Sequence, residues 1–167
     1  MESRQVRWAG VLAGVATLGY YLLFYTLNPR LIFQLGIFWF SMLFPLLAMG
    51  YVSWKLRKNT AGEVSWKILL RNAFQVYVLS AIAYHVFYFI LFNYIDSDLA
   101  RIQQEVLMEN LQHNRQLLGE RNAEALQREM EAGLPTLSAG TAIFSFARSL
   151  IGGFMLSLLF AFAFRKE

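Results

Sequence analysis

The sequence predicts an all-α membrane protein with four transmembrane helices and an extracytoplasmic helical hairpin between the third and fourth. Two observations support this prediction. Hydrophobic residues make up 57% of the 167 residues, more than soluble domains usually contain. Four apolar stretches can each cross a hydrocarbon core of about 30 Å as a helix; they run approximately over residues 8–27, 31–54, 72–95 and 141–164. A single membrane domain over residues 1–167 is expected, with a helical insert at 96–133.

The first two apolar stretches each contain a local signal. The first follows two arginines, as a secretory signal would, but reaches Asn28 and Pro29 without a small-residue cleavage site. It is therefore interpreted as a retained helix. In the second stretch, Pro45 cannot donate the helical hydrogen bond to the carbonyl of Ser41. A kink is predicted there.

The Lys and Arg residues distinguish the two sides of the membrane, since they accumulate at cytoplasmic helix ends. The loop between the first two helices carries only Arg30. The loop between the second and third contributes five of the nine positive residues on its side, which are Arg4, Arg7, Lys55, Arg57, Lys58, Lys67, Arg71, Arg165 and Lys166. Both termini are therefore predicted to be cytoplasmic, with the basic residues facing the lipid bilayer rather than nucleic acid.

The insert is much longer than a connection between antiparallel helices needs to be. Its residues from Asp96 to Glu131 include eight acidic residues and four Arg. Gly119 and Gly133 are placed as helix-ending glycines, and Pro135 follows the second of them. Two helices are predicted, the first about 33 Å long and the second about 20 Å.

The first insert helix has a broad apolar face. One interpretation is that the two insert helices cover each other, and the other is that part of the face docks on a protein partner or a second copy of the chain. Because the second helix is expected to be shorter, part of the face should stay exposed. The candidate docking residues are Leu99, Ile102, Val106, Leu107, Leu111 and Leu118.

Small residues recur every four positions in the fourth apolar stretch, and a shorter version occurs in the first. Small side chains let helix backbones approach closely in a bilayer. The sequence favours packing within the bundle over dimerisation, because four helices in one chain already need close seams. The candidate packing residues are Gly10, Gly14, Ser145, Ser149, Gly153 and Ser157.

His85 is the central residue of a candidate polar site inside the membrane, and Ser41 is expected at a similar depth. An intramembrane imidazole could relay a proton or contact a substrate. The favoured alternative is a neutral ring that is hydrogen-bonded to Ser41, Ser80 or a tyrosine such as Tyr88.

Arg148 is the third member of this candidate site and the one charged residue in the fourth stretch. It is expected about one turn inside the outer edge, from where it can extend toward the headgroups. Asp96, Asp98 and Gln34 are its expected partners. A structural contact is favoured over an anion-binding role.

Recognised chemical signatures are absent from the sequence. Without cysteine there is no disulfide, thiolate metal site or cysteine nucleophile. No HExxH, GxSxG, phosphate-loop or dinucleotide motif occurs. Glu105, Glu109 and His113 fall on successive helical turns but converge poorly, so a solvated face is favoured over a metal site. We therefore predict no catalytic residue, no cofactor and no metal.

The layout resembles one membrane family. Two helices precede a basic loop that ends in Gly62-Glu63-Val64-Ser65-Trp66, and a third helix, an acidic insert and a last helix ending in Arg165-Lys166 follow. From Arg7 to Lys166 this is similar to the Bacteroidota family called domain of unknown function 4199, although its members more often have Phe at the position of Trp66. The resemblance implies a bacterial inner-membrane location and no particular activity.

These observations together predict a non-enzymatic bacterial inner-membrane protein. It is expected to be an accessory or scaffolding subunit that interacts through the extracytoplasmic insert with a protein partner or with another copy of itself. The alternative is a small oligomeric transporter or channel involving His85. The sequence indicates no particular small-molecule substrate.

Overall fold

The computed structural model describes residues 3–60, 64–115, 119–131 and 138–165. All regular elements within these ranges are helical. In chain order they are α1 (Ser3–Leu27), a 3-10 turn (Pro29–Phe33), α2 (Leu35–Ser41), α3 (Leu43–Asn59), α4 (Trp66–Ile90), which continues as a π turn (Leu91–Ile95), α5 (Leu99–His113), α6 (Glu120–Glu131) and α7 (Ala139–Ala163).

Four segments are long and apolar enough to cross a membrane, as the sequence predicts. They are Arg4–Leu27, Leu35–Asn59, Trp66–Ile95 and Ala139–Ala163. The central segment of the bundle is α4, which packs against α1, α3 and α7. Leu69, Ala73 and Val76 are fully buried along α4.

The second membrane segment is interrupted, and it begins later than residue 31. The side chain of Asn28 accepts a hydrogen bond from the Arg30 amide at 3.0 Å and so caps the 3-10 turn. This turn takes up the first residues of the span predicted at 31–54. The break itself is at Met42, whose amide donates to the carbonyl of Trp39. Pro45 lies three residues further on and has no amide N–H to continue the helical hydrogen bonds. The kink predicted from the sequence is therefore a break between α2 and α3.

Helix α4 begins at Trp66, six residues before the predicted boundary of residue 72. Ser65 precedes its first turn, and the carbonyl of Ser65 accepts from the amide of Ile68 at 2.9 Å. Val64 and Leu69 are both buried and occupy the two positions that hydrophobic residues take when they fix a helix start. Local capping therefore extends the helix beyond its apolar part.

In the part of the insert that the structure describes, α5 and α6 are in contact with each other. Gly119 lies between them with a φ of +77°, the left-handed conformation expected of a helix-ending glycine. Gly133 and Pro135 lie outside the described residues. Helix α5 has 15 residues and α6 has 12, so α5 is about 22 Å long, shorter than the predicted 33 Å.

Candidate functional site

The insert is joined to the membrane bundle by a charged contact that the sequence analysis did not identify. A guanidinium nitrogen of Arg30, in the 3-10 turn, lies 2.6 Å from Glu109 and 3.5 Å from Glu105 of α5. Arg101 in turn pairs with Glu105 and Asp98. The short first loop and the insert therefore lie at the same end of the bundle. The sequence did contain a hint of this contact. Arg30 is the one basic residue of the short first loop, and in an antiparallel bundle that loop lies at the same end as the acidic insert.

Beside this charged contact, Leu99 closes an apolar cluster. It is fully buried, and its cluster includes Tyr21, Ile32 and Phe92. The hydroxyl of Tyr25 donates to Asp96 at 3.0 Å and links α1 to the residue that follows the π turn. The start of α5 is thus a part of the bundle core rather than a free arm.

Much of the apolar face of α5 is covered within the chain among the described residues, so less of it is free than the sequence predicts; whether the rest docks on a partner stays a prediction. Leu99, Val106 and Leu111 are buried, and Ile102 and Leu107 are half-buried. The 3-10 turn covers one end of α5 and α6 packs along it. Because α5 is shorter than expected, α6 nearly matches its length. Leu118 lies outside the described residues.

The exposed surface of α5 is polar instead. The exposed side chains in the C-terminal half of α5 are Glu109, Asn110, Gln112 and His113. Glu105 and Glu109 are engaged by Arg30. The outward surface of the insert is therefore polar and carries acidic side chains.

Asp98 and Arg101 form an ion pair at the base of α5. Arg101 donates to both carboxylate oxygens of Asp98, at 2.9 and 2.5 Å. These hydrogen bonds hold the pKa of Asp98 below its ordinary value, and the same contact raises the pKa of Arg101. Both side chains are exposed, so solvent screens the interaction.

His85 does not bond to any of the three partners considered from the sequence. Its Nδ1 lies 2.8 Å from the carbonyl oxygen of Ala81, one turn earlier in α4. Its ring meets those of Tyr84 and Phe146 edge-on, with centroids 5.2 and 5.4 Å away. The imidazole therefore lies between α4 and α7 rather than beside α2.

Ser41 belongs to a different hydrogen-bonded group. Its hydroxyl donates to the carbonyl of Phe38 at 2.7 Å and lies 3.1 Å from the hydroxyl of Tyr21. Because the serine proton is used toward Phe38, Tyr21 is the donor in the second bond. The structure thus separates Ser41, on the α1 side, from His85, on the α7 side.

Arg148 is exposed on α7. It lies about 200° around the helix from Phe146, which packs on the bundle, and so it faces outward. Asp96 and Asp98 are instead engaged by Tyr25 and Arg101. Among the described residues, no carboxylate lies within ion-pair distance of Arg148, so the expected clamp is not formed there.

An apolar groove of about 340 Å³ lies between α4 and α7 beside His85. It is open on one side and belongs to the membrane-crossing parts of both helices. The residues that line it are Ile82, His85, Val86, Phe89, Ala139, Ala142, Ile143 and Phe146. The surface that the groove presents is therefore apolar.

Gly10 and Gly14 lie where α1 approaches α4. A Cβ added at Gly10 would be 2.9 Å from the Cβ of Leu79, and one at Gly14 would be 2.8 Å from the Cβ of Ala83. Both distances are too short for carbon atoms that are not bonded to each other. The two glycines therefore permit this close contact between helices.

The stripe of small residues on α7 is divided between two environments. Gly153 and Ser157 are buried, and a Cβ at Gly153 would overlap the ring of Tyr77 on α4. The hydroxyl of Tyr77 donates to the carbonyl of Ser149 at 3.0 Å. Ser145, by contrast, is exposed. The part of the stripe that contains Gly153 and Ser157 is therefore packed within the chain. Its partner is Tyr77, which the spacing of small residues could not identify.

The opposite end of the bundle carries paired aromatic and basic side chains. The ammonium group of Lys58 lies 5.1 Å from the ring centre of Trp54, and that of Lys55 lies 5.5 Å from the ring centre of Tyr51. Trp66 stacks on Phe162 nearby along the helices α4 and α7. Such side chains are typical of the level of lipid headgroups.

One protein family model matches the chain over most of its length. The family model described as protein of unknown function (DUF4199) matches residues 9–166. The chain belongs to this family. The DUF4199 match covers most of the first apolar segment, all of the other three and the insert, and it confirms the resemblance to this family of unknown function. No curated protein and no solved structure matches the DUF4199 chain.

Proposed function

We propose that this DUF4199 protein is a non-enzymatic protein of a bacterial inner membrane that acts as an accessory or scaffolding subunit, with its termini in the cytoplasm and its insert outside. The observation that carries the proposal is the docked insert. The contacts of Arg30 with Glu105 and Glu109, together with the buried Leu99, hold α5 against the bundle. A simple connection between two membrane helices needs no such contacts.

The interacting surface in this proposal is the polar side of the insert. Its apolar face is used within the chain, so a partner would meet exposed side chains such as Asn110, Gln112 and His113. Polar and acidic surfaces of this kind contribute specificity and association rate more than affinity. A soluble or membrane-anchored partner with a basic or hydrogen-bonding surface fits the insert.

The test compares association before and after the outward surface is changed. Gln112→Arg combined with Asn110→Arg should strongly reduce the amount of any partner that co-purifies in gentle detergent. Ala100→Arg introduces the same charge at an exposed position near the base of α5 and is the matched control. Unchanged co-purification with the double variant, at unchanged unfolding temperature, would contradict the proposal.

A small transporter is the second candidate function, because a groove reaches the intramembrane His85. The apolar wall of the groove favours an apolar cargo over an ion. His85→Gln keeps a hydrogen-bond acceptor but removes the titratable proton, and under the scaffolding proposal it should leave the host phenotype nearly intact. Loss of the phenotype at normal abundance and folding would favour proton-coupled transport.

A further inference from the structure

Contacts between α4 and α7 fix the depth of Arg148 in the bundle. The hydroxyl of Tyr77 donates to the carbonyl of Ser149 at 3.0 Å. The ring of His85 meets that of Phe146, with their centroids 5.4 Å apart. Arg148 comes between Phe146 and Ser149 in α7. It is therefore level with the part of α4 that runs from Tyr77 to His85.

This level is close to the middle of the membrane-crossing segment Trp66–Ile95. Tyr77 comes eleven residues after the first residue of the segment, and His85 comes ten residues before its last. Either interval corresponds to at least about 15 Å of helix. Arg148 is thus deeper than the single turn inside the outer edge that the sequence suggests.

The guanidinium of Arg148 has no counter-charge at this depth. Its side chain is exposed, and within the described part of the chain no hydrogen bond or ion pair joins it to another residue. None of the eleven acidic residues of the sequence falls within the four membrane-crossing segments. A second copy of the chain therefore has no carboxylate to offer at this level. An unpaired charge so deep in a bilayer is costly.

The face of α7 around Arg148 is not covered by the chain itself. Phe144, Ile151 and Met155 are each more than half exposed, and a Cβ added at Gly152 would meet nothing within 4 Å. All four lie within about 60° of Arg148 around the helix. The charge is thus part of an exposed helix face that leaves space at Gly152 for a neighbouring backbone.

A lipid phosphate fits this charge less well than a protein carboxylate. About 15 Å of hydrocarbon separates the bilayer centre from either headgroup layer, which is more than the length of an arginine side chain. A carboxylate on a transmembrane helix can lie at the same depth as the guanidinium. Charged side chains within membranes pair with one another in this way, and the pair forms strong hydrogen bonds.

We propose that the face of α7 formed by Phe144, Arg148, Ile151, Gly152 and Met155 binds a transmembrane helix of a different membrane protein, and that an Asp or Glu of that helix pairs with Arg148. The partner is a different protein because this chain has no acidic residue in its own membrane-crossing segments. The surface is separate from the insert, so the proposal does not rest on an interaction through the insert.

The test measures binding of designed transmembrane peptides to the full-length protein in phosphatidylcholine vesicles, by energy transfer between two dyes. One peptide is a helix of Leu and Ala with a single Glu at its centre. The other has Gln at that position, which keeps the size and removes the charge. We expect the Glu peptide to bind roughly fivefold more tightly, the lower end of what one polar contact between membrane helices contributes in model peptides.

Two variants and a control locate the binding. Arg148→Gln should make the two peptides bind equally, whereas Arg148→Lys keeps a charge and should retain part of the preference. The control combines Arg148→Gln with Ile143→Arg, which moves the charge to an equally accessible position, 68% exposed, about 140° away around the helix. This double variant should not regain the preference, because its charge lies on another face.

Four results would overturn the proposal. They are equal binding of both peptides to the wild-type protein, an unchanged preference in Arg148→Gln, a preference regained in the double variant, and a preference that disappears when phosphatidylglycerol is added. The last result would assign the guanidinium to a lipid phosphate. The comparison of the two peptides leaves the protein unaltered, so it decides the outcome even if Arg148→Gln fails to fold.

Discussion

A guanidinium nitrogen of Arg30 lies 2.6 Å from a carboxylate oxygen of Glu109, although the two residues are 79 positions apart in the chain. One belongs to a short turn between the first two membrane segments, and the other lies well along the first helix of the insert. Their contact and the burial of Leu99 together hold the acidic insert against the bundle. This arrangement determines which surfaces of the insert are free.

Reversing the charge of Arg30 should loosen α5 without unfolding the bundle. Arg30→Glu places a carboxylate beside Glu105 and Glu109, so amide hydrogen exchange in α5 should accelerate while exchange in α4 stays slow. Because both side chains are partly exposed, the Arg30–Glu109 coupling in a double-mutant cycle should be only about 0.2–1 kcal/mol.

High salt should reduce the same coupling. Reversing both charges, with Arg30→Glu and Glu109→Arg together, should partly restore slow exchange in α5. Identical exchange in the wild type and in Arg30→Glu would show that the apolar contact of Leu99 alone holds the insert in place.

Two adjacent glycines of α7 should respond oppositely to substitution. A Cβ at Gly153 would overlap the ring of Tyr77, whereas one at Gly152 would have nothing within 4 Å. Gly153→Ala should therefore destabilise the bundle by about 1–3 kcal/mol through overpacking. Gly152→Ala, the control, should be neutral or slightly stabilising, because alanine favours a helix.

The measurement is the unfolding temperature of both variants in detergent. Equal stability of Gly153→Ala and Gly152→Ala would contradict the close approach of α4 and α7. A larger residue at the first position, as in Gly153→Leu, should lower stability further.

Acidification should weaken the contact between Asp98 and Arg101. The pKa of Asp98 is lowered in the folded state by hydrogen bonds from Arg101, so its stabilising contribution is present above the ordinary value of 3.8 and is lost as the pH falls through the lowered pKa. The effect should be small, since both groups are exposed. Chemical shifts of Arg101 should follow this titration.

Asp98→Asn is the matched variant for the same titration, because it preserves size and removes the charge. The acid-dependent change at Arg101 should disappear in it. A titration of Arg101 that stays the same in Asp98→Asn would show that the pH dependence does not arise from Asp98.

Both termini should be cytoplasmic, because the basic residues concentrate at one end of the bundle. A reporter that is active only outside the cytoplasm should be silent when fused after Lys166 and active when inserted at Gly119. The opposite pattern of activities would reverse the assignment.

Sequence reasoning was sufficient for the membrane segments and for the two insert helices. Length and hydropathy are properties of a continuous stretch, so they identified the four helices that are long and apolar enough to cross a membrane. The glycine positions were also informative, since Gly10, Gly14 and Gly153 lie where helices approach most closely. Boundaries were less accurate, because capping at Asn28 and Ser65 depends on local geometry that apolar content does not record.

The partners of the polar and amphipathic residues were decided by tertiary structure alone. Periodicity shows that a face of α5 must be covered, but not whether α6, the 3-10 turn or another protein covers it. In the same way, depth placed His85 level with Ser41, whereas the rotation of α4 directs its ring to Phe146 and the α7 groove. The physical reason is that consecutive residues show which face of a helix must be buried. The neighbour that buries this face depends instead on how whole helices rotate and pack.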